Sequence, residues 1–268
     1  MNLNEGHMKN LRQISASLQP SWFTSWFDTN FYHQLYAHRN DREAMHFIDN
    51  LLPILQPSTN AKMLDLGCGA GRHSKYLASK GYHVTGLDLA GSSIRQAQGY
   101  RVDNLQFYQH DMRNAFGKNY FDYVLNFFTS FGYFDTEAEH TSVIQNISHS
   151  LKPGGIVMMD YINVAYASQH IVASEEKNID GVKYYIARWM DEKHFFKKIT
   201  IDLQAAHPFH FTEKVAKFQA PDFEKMFAAN GLELQVTYGD YELNAFDVDQ
   251  SPRLILIARK WSKSRLVA

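Results

Sequence analysis

The sequence predicts an α/β fold with helices on both faces of a largely parallel sheet, and three observations support this class. Apolar strand-like segments alternate with helix-like segments over residues 61–161, a spacing that is typical of parallel sheets. The last two predicted strands, residues 232–238 and 253–260, have no helix between them and are expected to pair as an antiparallel hairpin. Residues 169–217 interrupt the alternation with a β pattern of their own, which indicates an insertion.

The first half of the alternation surrounds a glycine-rich turn at residues 67–71. An apolar strand precedes this turn, and a helix over residues 72–80 follows it and is closed by Gly81, because glycine readily takes the left-handed conformation at a helix end. A strand over 82–88 ends in an acid, and a helix over 91–99 and a strand over 104–109 come next. The predicted order to this point is β-α-β-α-β.

The second half of the alternation continues with a strand over 121–126 and a helix over 137–151. The turn formed by residues 152–155, Lys-Pro-Gly-Gly, predicts a sharp stop before the apolar strand at 156–160. After the insertion, residues 221–230 are typical of a helix that is capped by Gly231. The insertion itself contains three predicted strands, residues 183–190, 195–203 and 209–215.

The N-terminal part is aromatic-rich and largely helical between residues 22 and 55, with Asp41 as the expected N-cap of a helix over 42–52. These patterns divide the chain into three predicted parts. Residues 1–56 form an N-terminal helical cap, residues 57–168 and 218–268 form the main α/β domain, and residues 169–217 form an inserted antiparallel β flap.

The amino-acid composition limits which partners and which cellular compartment can be expected. The 268 residues carry a net charge of −1, so no overall field draws the protein to nucleic acid or to an anionic membrane. Apolar residues make up 45% of the chain without a run long enough to span a bilayer. Cys68 is the single cysteine and the first residues lack an apolar signal segment, so we expect a reducing, cytoplasmic location. The thirteen histidines are scattered and indicate no metal site.

The glycine turn is the most informative motif for function. Gly67, Gly69 and Gly71 follow Asp65 in the spacing Gly-x-Gly-x-Gly, which leaves bare backbone against which a ligand can lie. A nicotinamide-binding loop requires a third glycine where this chain has Arg72, and a P-loop requires Gly-Lys-Ser or Gly-Lys-Thr. Both of those classes are therefore disfavoured.

With Asp65 included, the turn resembles motif I of the class I S-adenosylmethionine-dependent methyltransferases. Further motifs resemble that family in the same order: Asp88 at the end of the second strand, Asp111-Met112 after the third, residues 121–128 at the fourth and the Lys-Pro-Gly-Gly turn before the fifth. The resemblance implies a three-layer Rossmann-like sheet of seven strands in the order 3-2-1-4-5-7-6, with strand 7 antiparallel. It also implies S-adenosylmethionine as cofactor and S-adenosylhomocysteine as product.

The resemblance assigns roles to individual residues. Asp88 is expected to accept both ribose hydroxyls, because a carboxylate accepts two hydrogen bonds, and Asp111 is expected to accept from the adenine amino group. Tyr36 and Arg39 are expected to meet the methionine carboxylate. The full predicted cofactor-binding set is Tyr36, Arg39, Asp65, Gly67, Cys68, Gly69, Gly71, Arg72, Asp88, Leu89, Asp111, Met112, Asn126 and Phe127.

Methyl transfer is an in-line displacement, so the protein mainly aligns the two reactants, and no metal is required. Aromatic residues after the fourth strand, residues 127–134, can shape the acceptor pocket and favour a cationic sulfonium. Where a base is needed, Tyr133, Asp160 and the flap residue His210 are the predicted candidates.

The predicted acceptor is an N or O atom of a small molecule, as in the bacterial small-molecule methyltransferases that the chain resembles, and the protein is expected to be a monomer or homodimer. A cytosine C5 mechanism needs a nucleophilic cysteine, and Cys68 is committed to the turn. The strand-four segment also lacks the prolines of amino-methylating DNA enzymes, and nucleic acid is disfavoured. An RNA or protein methyltransferase and a non-catalytic S-adenosylmethionine-binding protein remain the alternatives.

Overall fold

The computed structural model describes residues 21–37, 41–100, 102–203 and 208–262. Its helices are α1 (Trp22–Trp26), α2 (Asn30–Leu35), α3 (Asp41–Leu55), α4 (Arg72–Ser79), α5 (Gly91–Ala97), α6 (Glu137–Ser150), α7 (Val164–Gln169) and α8 (Ala220–Ala229). Its strands are β1 (Lys62–Leu66), β2 (His83–Asp88), β3 (Leu105–Gln109), β4 (Phe121–Asn126), β5 (Leu151–Ile162), β6 (Ser174–Ile179), β7 (Val182–Met190), β8 (His194–Asp202), β9 (Phe209–Ala216), β10 (Leu232–Tyr238) and β11 (Arg253–Lys260). Within those residues no helix combines the length and the apolar composition that a membrane span requires.

A seven-stranded sheet forms the centre of the molecule, in the order β10-β11-β5-β4-β1-β2-β3. The five strands β1 to β5 run parallel to one another, whereas β11 is antiparallel to both β5 and β10. Since β10 and β11 take places 6 and 7, this order confirms the predicted 3-2-1-4-5-7-6 arrangement with an antiparallel seventh strand. The strand order reverses between β1 and β4, and this reversal opens a crevice at the carboxyl ends of the strands.

Two apolar layers pack on the faces of this sheet. One layer includes α6 and α8 and is built around Phe223 and Phe227, which are fully buried. The other layer includes α3 to α5, with Phe47 and Leu51 among its buried residues. The helices thus cover both faces, as a parallel sheet that is buried on both sides requires.

A second sheet has four antiparallel strands in the order β6-β7-β8-β9. One face of it packs on the N-terminal helices, and their common core contains Trp26 and Leu35 with Tyr184, Ile186, Ile199 and Ile201. Helices α1 and α2 and strands β6–β9 together are called the cover below. The sequence did not predict β6, because its residues, Ser-Glu-Glu-Lys-Asn-Ile, are mostly polar and lie at the edge of the sheet.

Helix α3 begins earlier and ends later than predicted. Asp41 is its first residue and not its N-cap, and the helix continues through Pro53 to Leu55. A proline usually ends a helix because it lacks the N–H group. Here Leu51 and Leu55 are buried in the core on either side of Pro53, and this packing keeps the last turn helical.

Candidate active site

A cavity of about 600 Å³ lies in the crevice between β1 and β4. One wall comes from the seven-stranded sheet and contains the glycine turn, Asp88 and Asp111. The opposite wall comes from the cover and contains Tyr32, Tyr36 and Glu213. Of the predicted site residues, eleven lie on the wall: Tyr36, Gly67, Cys68, Gly69, Arg72, Asp88, Leu89, Asp111, Met112, Phe127 and Tyr133.

The glycine turn is held by hydrogen bonds to the end of β2. The backbone N–H groups of Gly67 and Cys68 donate to the carbonyl oxygen of Leu87 at 2.8 and 2.9 Å, and that of Gly69 donates to Asp88 Oδ2 at 2.8 Å. The φ angle of Gly69 is +54°, and a Cβ placed there would meet no atom within 4 Å. The backbone at Gly69 therefore faces open space in which a ligand can lie directly against it.

Asp88 offers its carboxylate to the cavity with lone pairs to spare. Its Oδ1 accepts from the N–H of Ala90 at 2.8 Å, and its Oδ2 accepts from Gly69. Burial raises the pKa of this carboxyl above its ordinary value, although the backbone hydrogen bonds oppose that shift. Because a carboxylate has about four acceptor sites, two hydroxyl groups can still donate to it.

Three predicted cofactor ligands lie behind the cavity wall and not on it: Asp65, Gly71 and Asn126. Asp65 is fully buried and accepts a hydrogen bond from the hydroxyl of Ser74 at 2.5 Å, while its Oδ1 has no hydrogen-bond partner among the described residues. Burial raises the pKa of Asp65 to about 7. Asn126 donates from Nδ2 to the carbonyl oxygen of Leu66 at 2.6 Å. Asp65 and Asn126 therefore support the turn from beneath, whereas Gly71 ends the turn and packs against the ring of Phe107.

Asp111 lies on the wall but is bound to a residue that the sequence pattern did not single out. The guanidinium of Arg113 contacts Asp111 Oδ2 through Nη2 at 2.6 Å and Glu139 Oε1 through Nη1 at 2.7 Å. Glu139 in turn caps α6, where it accepts from the N–H of Thr136. The position of Asp111 is thus fixed by a chain of charges that leads away from the cavity.

Asp160, predicted as a catalytic base, does not reach the cavity, and the structure corrects this assignment. Its side chain is 1% exposed and accepts from Phe128 N–H at 2.8 Å, from Arg253 Nε at 2.7 Å and from the hydroxyl of Tyr241 at 3.0 Å. Arg253 also donates from Nη2 to the hydroxyl of Thr129 at 2.8 Å. A carboxylate with three donors and no access to the cavity is not placed to take a proton from a substrate.

Asp160 and Arg253 instead hold an unusual turn after β4. The φ angles of Phe128 and Thr129 are +56° and +52°, a left-handed conformation that costs about 1–3 kcal/mol per non-glycine residue. The hydrogen bond that Asp160 accepts from Phe128 and the one that Arg253 donates to Thr129 offset this cost. The turn places the ring of Phe128 on the cavity wall, with the guanidinium of Arg72 5.4 Å from the ring centre.

Tyr133 lies on the cavity wall as predicted, and its hydroxyl donates to the carbonyl oxygen of Thr129. Burial raises the pKa of this phenol well above its ordinary value, so Tyr133 is protonated near neutral pH. Its ring contacts those of Trp22 and Phe27 with centroids 5.4 and 5.2 Å apart. A protonated phenol that is packed among rings shapes the pocket and is a poor proton acceptor.

The remaining predicted residues to be located are His210, Arg39 and Tyr36. His210 is exposed and its Nδ1 lies 3.1 Å from the hydroxyl of Thr200, away from the cavity, because neighbouring residues of a strand point to opposite faces. Arg39 lies outside the described residues. The hydroxyl of Tyr36 donates to Glu213 at 2.9 Å.

Sequence reasoning missed Glu213, His33 and His73, all of which line the cavity. The imidazole of His73 stacks on Phe127 at 4.1 Å, and burial lowers its pKa well below the ordinary value, so it is neutral. Glu213 could have been found from its register, since it shares one face of β9 with Phe211 and Val215. An acid in the apolar register of a strand indicates a polar site on that face.

Arg72, a predicted ligand, has the chemistry of an anion receptor. Its Nη1 is buried without a hydrogen-bond partner among the described residues, and the side chain lies on the cavity wall. A buried donor of this kind is costly unless a ligand satisfies it. Arginine is suited to a carboxylate because its guanidinium donates two parallel hydrogen bonds.

Comparison with known proteins agrees with this geometry. A family model described as a methyltransferase domain matches residues 57–231. The proposed methyltransferase YqeM of Bacillus subtilis (strain 168) is 27% identical over 253 residues, which span 85% of this chain and 94% of that protein.

Two solved structures share the fold. The S-adenosylmethionine-dependent methyltransferase from Clostridium acetobutylicum superposes with a TM-score of 0.71 at 17% identity, covering 87% of this chain and 97% of that one. CalS10 from Micromonospora echinaspora, an amino pentose methyltransferase with S-adenosylmethionine bound, superposes with a TM-score of 0.63 at 21% identity over the same shares of the two chains.

Proposed function

We propose that this chain, which belongs to the S-adenosylmethionine-dependent methyltransferases, moves a methyl group to a nitrogen or oxygen atom of a small molecule. The observation that carries the proposal is the continuity of the cavity. The glycine turn and Asp88 share one space with the aromatic rings and Glu213 of the cover. A volume of about 600 Å³ lies in the range of small-ligand sites, and the rings enclose it. The amino pentose acceptor of CalS10 is of this class.

The wall residues fit the cofactor. The free lone pairs of Asp88 suit the ribose hydroxyls, and the open backbone at Gly69 lets the ligand approach closely. The unpartnered Nη1 of Arg72 suits the methionine carboxylate. When bound there, S-adenosylmethionine supplies a methyl group that is already activated by a sulfonium, so the chain needs no metal to activate it.

The chain's own contribution is alignment and enclosure. Phe127 and Phe128 at the end of β4 border the cofactor side, and Tyr32 and Tyr133 border the cover side. Aromatic faces favour a nearby cation, and rigid walls hold the two reactants in line. Positioning alone supplies a large part of the acceleration in reactions of this type.

The cofactor assignment is tested by calorimetric titration with S-adenosylmethionine and S-adenosylhomocysteine. We expect Asp88→Ala to weaken both by roughly a hundredfold, since two hydrogen bonds to a charged acceptor are lost. Asp103→Ala is the control, because Asp103 is exposed on the turn before β3. Equal affinities in the wild type and Asp88→Ala would remove Asp88 from the site.

The acceptor is tested by a methyl-donor turnover screen against metabolite fractions, with total RNA and denatured cell protein as separate arms. Turnover in the metabolite arm alone supports a small-molecule acceptor. Turnover confined to RNA or protein would replace that proposal with a macromolecular one. Tight cofactor binding without turnover in any arm would favour a non-catalytic binding protein.

A further inference from the structure

Glu213 is the carboxylate that the cover contributes to the described part of the cavity wall. It lies on β9 opposite Lys197 of β8, and its side chain is 13% exposed. The other wall carboxylates are Asp41, Asp88 and Asp111, and each belongs to α3 or to the ends of the parallel strands. A charge on the opposite wall, across from the glycine turn, needs its own explanation because burying it is costly.

The hydrogen bonds of Glu213 fix its orientation without exhausting its capacity. Oε1 accepts from Trp26 Nε1 at 2.7 Å and from the hydroxyl of Tyr36 at 2.9 Å. Oε2 accepts from the same hydroxyl at 3.2 Å, and Lys197 Nζ is 3.7 Å away, beyond hydrogen-bond length. Among the described residues, Oε2 thus has one hydrogen-bond donor, and a carboxylate oxygen can accept more than one hydrogen bond.

Lys197 partly neutralises the charge of Glu213 from the side that faces away from the cavity. It is not on the cavity wall, and its Nζ donates to the hydroxyl of Tyr36 at 2.5 Å. The hydroxyl of Tyr36 therefore accepts from the lysine and donates to Glu213. This arrangement leaves Glu213 on the cavity wall, where a ligand can reach it.

Aromatic rings surround the same part of the cavity. Phe27 contacts Tyr32 and Tyr133 with ring centroids 5.0 and 5.2 Å apart, and all three rings lie on the wall. Burial raises the pKa of both tyrosines, and the nearby charge of Glu213 raises it further. Ring faces beside one carboxylate attract an organic cation and repel an anion.

We propose that Glu213 and the rings of Phe27, Tyr32 and Tyr133 bind the ammonium group of the acceptor, so that the substrate of this site is a primary or secondary amine. The inference rests on the proposed function and narrows it from nitrogen or oxygen to nitrogen. An alcohol gains little here, because it brings no charge to offset the burial of the carboxylate.

The contact between Glu213 and the ammonium also explains where the ammonium proton goes before methyl transfer. The bound ammonium gives one proton to the Glu213 carboxylate and becomes a neutral amine with a lone pair. That lone pair forms the new N–C bond while the C–S bond breaks and its electron pair stays on sulfur. The product is a methylated ammonium, and Glu213 gives its proton to water after the product has left, so one proton is released for each transfer.

The test compares an amine with its isosteric alcohol on the full chain saturated with S-adenosylhomocysteine. Cyclohexylamine and cyclohexanol are titrated by calorimetry into the wild type, Glu213→Gln, Glu213→Asp and Glu176→Gln. Glutamine keeps the size and one acceptor oxygen but removes the charge, and Asp restores the charge. Glu176 is an exposed acid of β6, opposite the exposed ring of Tyr185, and serves as the matched control.

We expect the wild type to bind the amine at least about tenfold more tightly than the alcohol, the range of one charge-assisted hydrogen bond. Glu213→Gln abolishes this preference and leaves the affinity for S-adenosylhomocysteine within about threefold, whereas Glu213→Asp and Glu176→Gln retain the preference. Equal binding of the two probes by the wild type overturns the inference even where Glu213→Gln does not fold. An equal loss of amine and S-adenosylhomocysteine affinity also overturns it and assigns the carboxylate to the methionine ammonium. Failure of the proposed function is distinct, because the wild type then binds no S-adenosylhomocysteine.

Discussion

The glycine turn and the cover face each other across one cavity, but they are held together by contacts of different range. In the turn, Gly69 donates to Asp88, 19 residues away; Gly69 follows β1, and Asp88 ends the neighbouring strand β2. In the cover, Glu213 accepts from Trp26 and Tyr36, which are 187 and 177 residues away. The turn is thus fixed by a local motif, whereas the wall opposite it exists only once distant segments have packed.

This difference divides the chemistry of the site. A local motif can hold the cofactor, and we propose that the turn with Asp88 does so through backbone groups and one acid. The acceptor wall depends on side chains that the cover brings together, and their identity decides which substrate fits. Three predictions test whether stability and pH response follow the same division, in order of expected size.

The largest effect is expected from a long-range polar contact between β5 and β11 of the seven-stranded sheet. Asp160→Asn leaves the guanidinium of Arg253 buried without its charge partner and weakens the clamp on the turn at Phe128. We expect the free energy of unfolding to fall by about 3–5 kcal/mol, as for other broken buried ion pairs. Denaturant unfolding followed by circular dichroism measures this loss.

The matched control is Asp122→Asn, which removes a carboxylate from the half-exposed pair with Lys152. We expect it to cost under about 1 kcal/mol. If the two variants lost similar stability, the contacts of Asp160 with Arg253 and Phe128 would contribute no more than a surface ion pair.

The second prediction concerns the acid beneath the turn. The pKa of Asp65 is raised to about 7 in the folded protein, so the folded state binds its proton more tightly than the unfolded state. Stability contributed by the protonated group is therefore complete below about pH 4 and is lost as pH rises to 7. Asp65→Asn cannot ionise and can still accept from Ser74 through its amide oxygen.

We therefore expect the free energy of unfolding of Asp65→Asn, relative to the wild type, to rise by about 2–4 kcal/mol between pH 4 and pH 7. Urea unfolding of both proteins at half-unit pH intervals measures the difference, in which the titration of all other groups cancels. A constant difference across this range would show that Asp65 is ionised in the folded state.

The sequence predicted the parts of the molecule that local patterns encode. The glycine turn is a short motif, and the strand order and the cavity positions of Asp88 and Met112 agree with what the resemblance carried by such motifs implies. The long helices were also found to within a few residues, since their apolar periodicity is strong.

The parts that failed depend on distant partners. Asp160 was one of three predicted candidate bases, but its carboxylate binds Arg253, 93 residues away, and lies in the core. Glu213 was missed because nothing near it in sequence shows that Tyr36 and Trp26 reach it. Strand β6 was missed because edge strands carry polar residues and lack the apolar alternation by which strands are recognised.

The smallest effect separates backbone conformation from space within the turn itself. Gly67 and Gly69 have φ angles of +80° and +54°, so alanine at either position costs about 1–2 kcal/mol in a left-handed conformation. A Cβ at Gly67 would lie 2.5 Å from the Cβ of Ser130, whereas one at Gly69 meets no atom. Gly67→Ala should therefore lose about 1–3 kcal/mol more unfolding free energy than Gly69→Ala, because Ser130 must move.

Cofactor affinity should show the opposite order. The Cβ of Gly69→Ala enters the open space of the cavity, so this variant is expected to bind S-adenosylhomocysteine roughly tenfold more weakly while remaining the more stable of the two. Denaturant unfolding and calorimetric titration of both variants measure the two rankings. A ranking in which Gly67→Ala was worse in both measurements would mean that the turn acts as one rigid unit, and that its inner and ligand-facing surfaces cannot be perturbed separately.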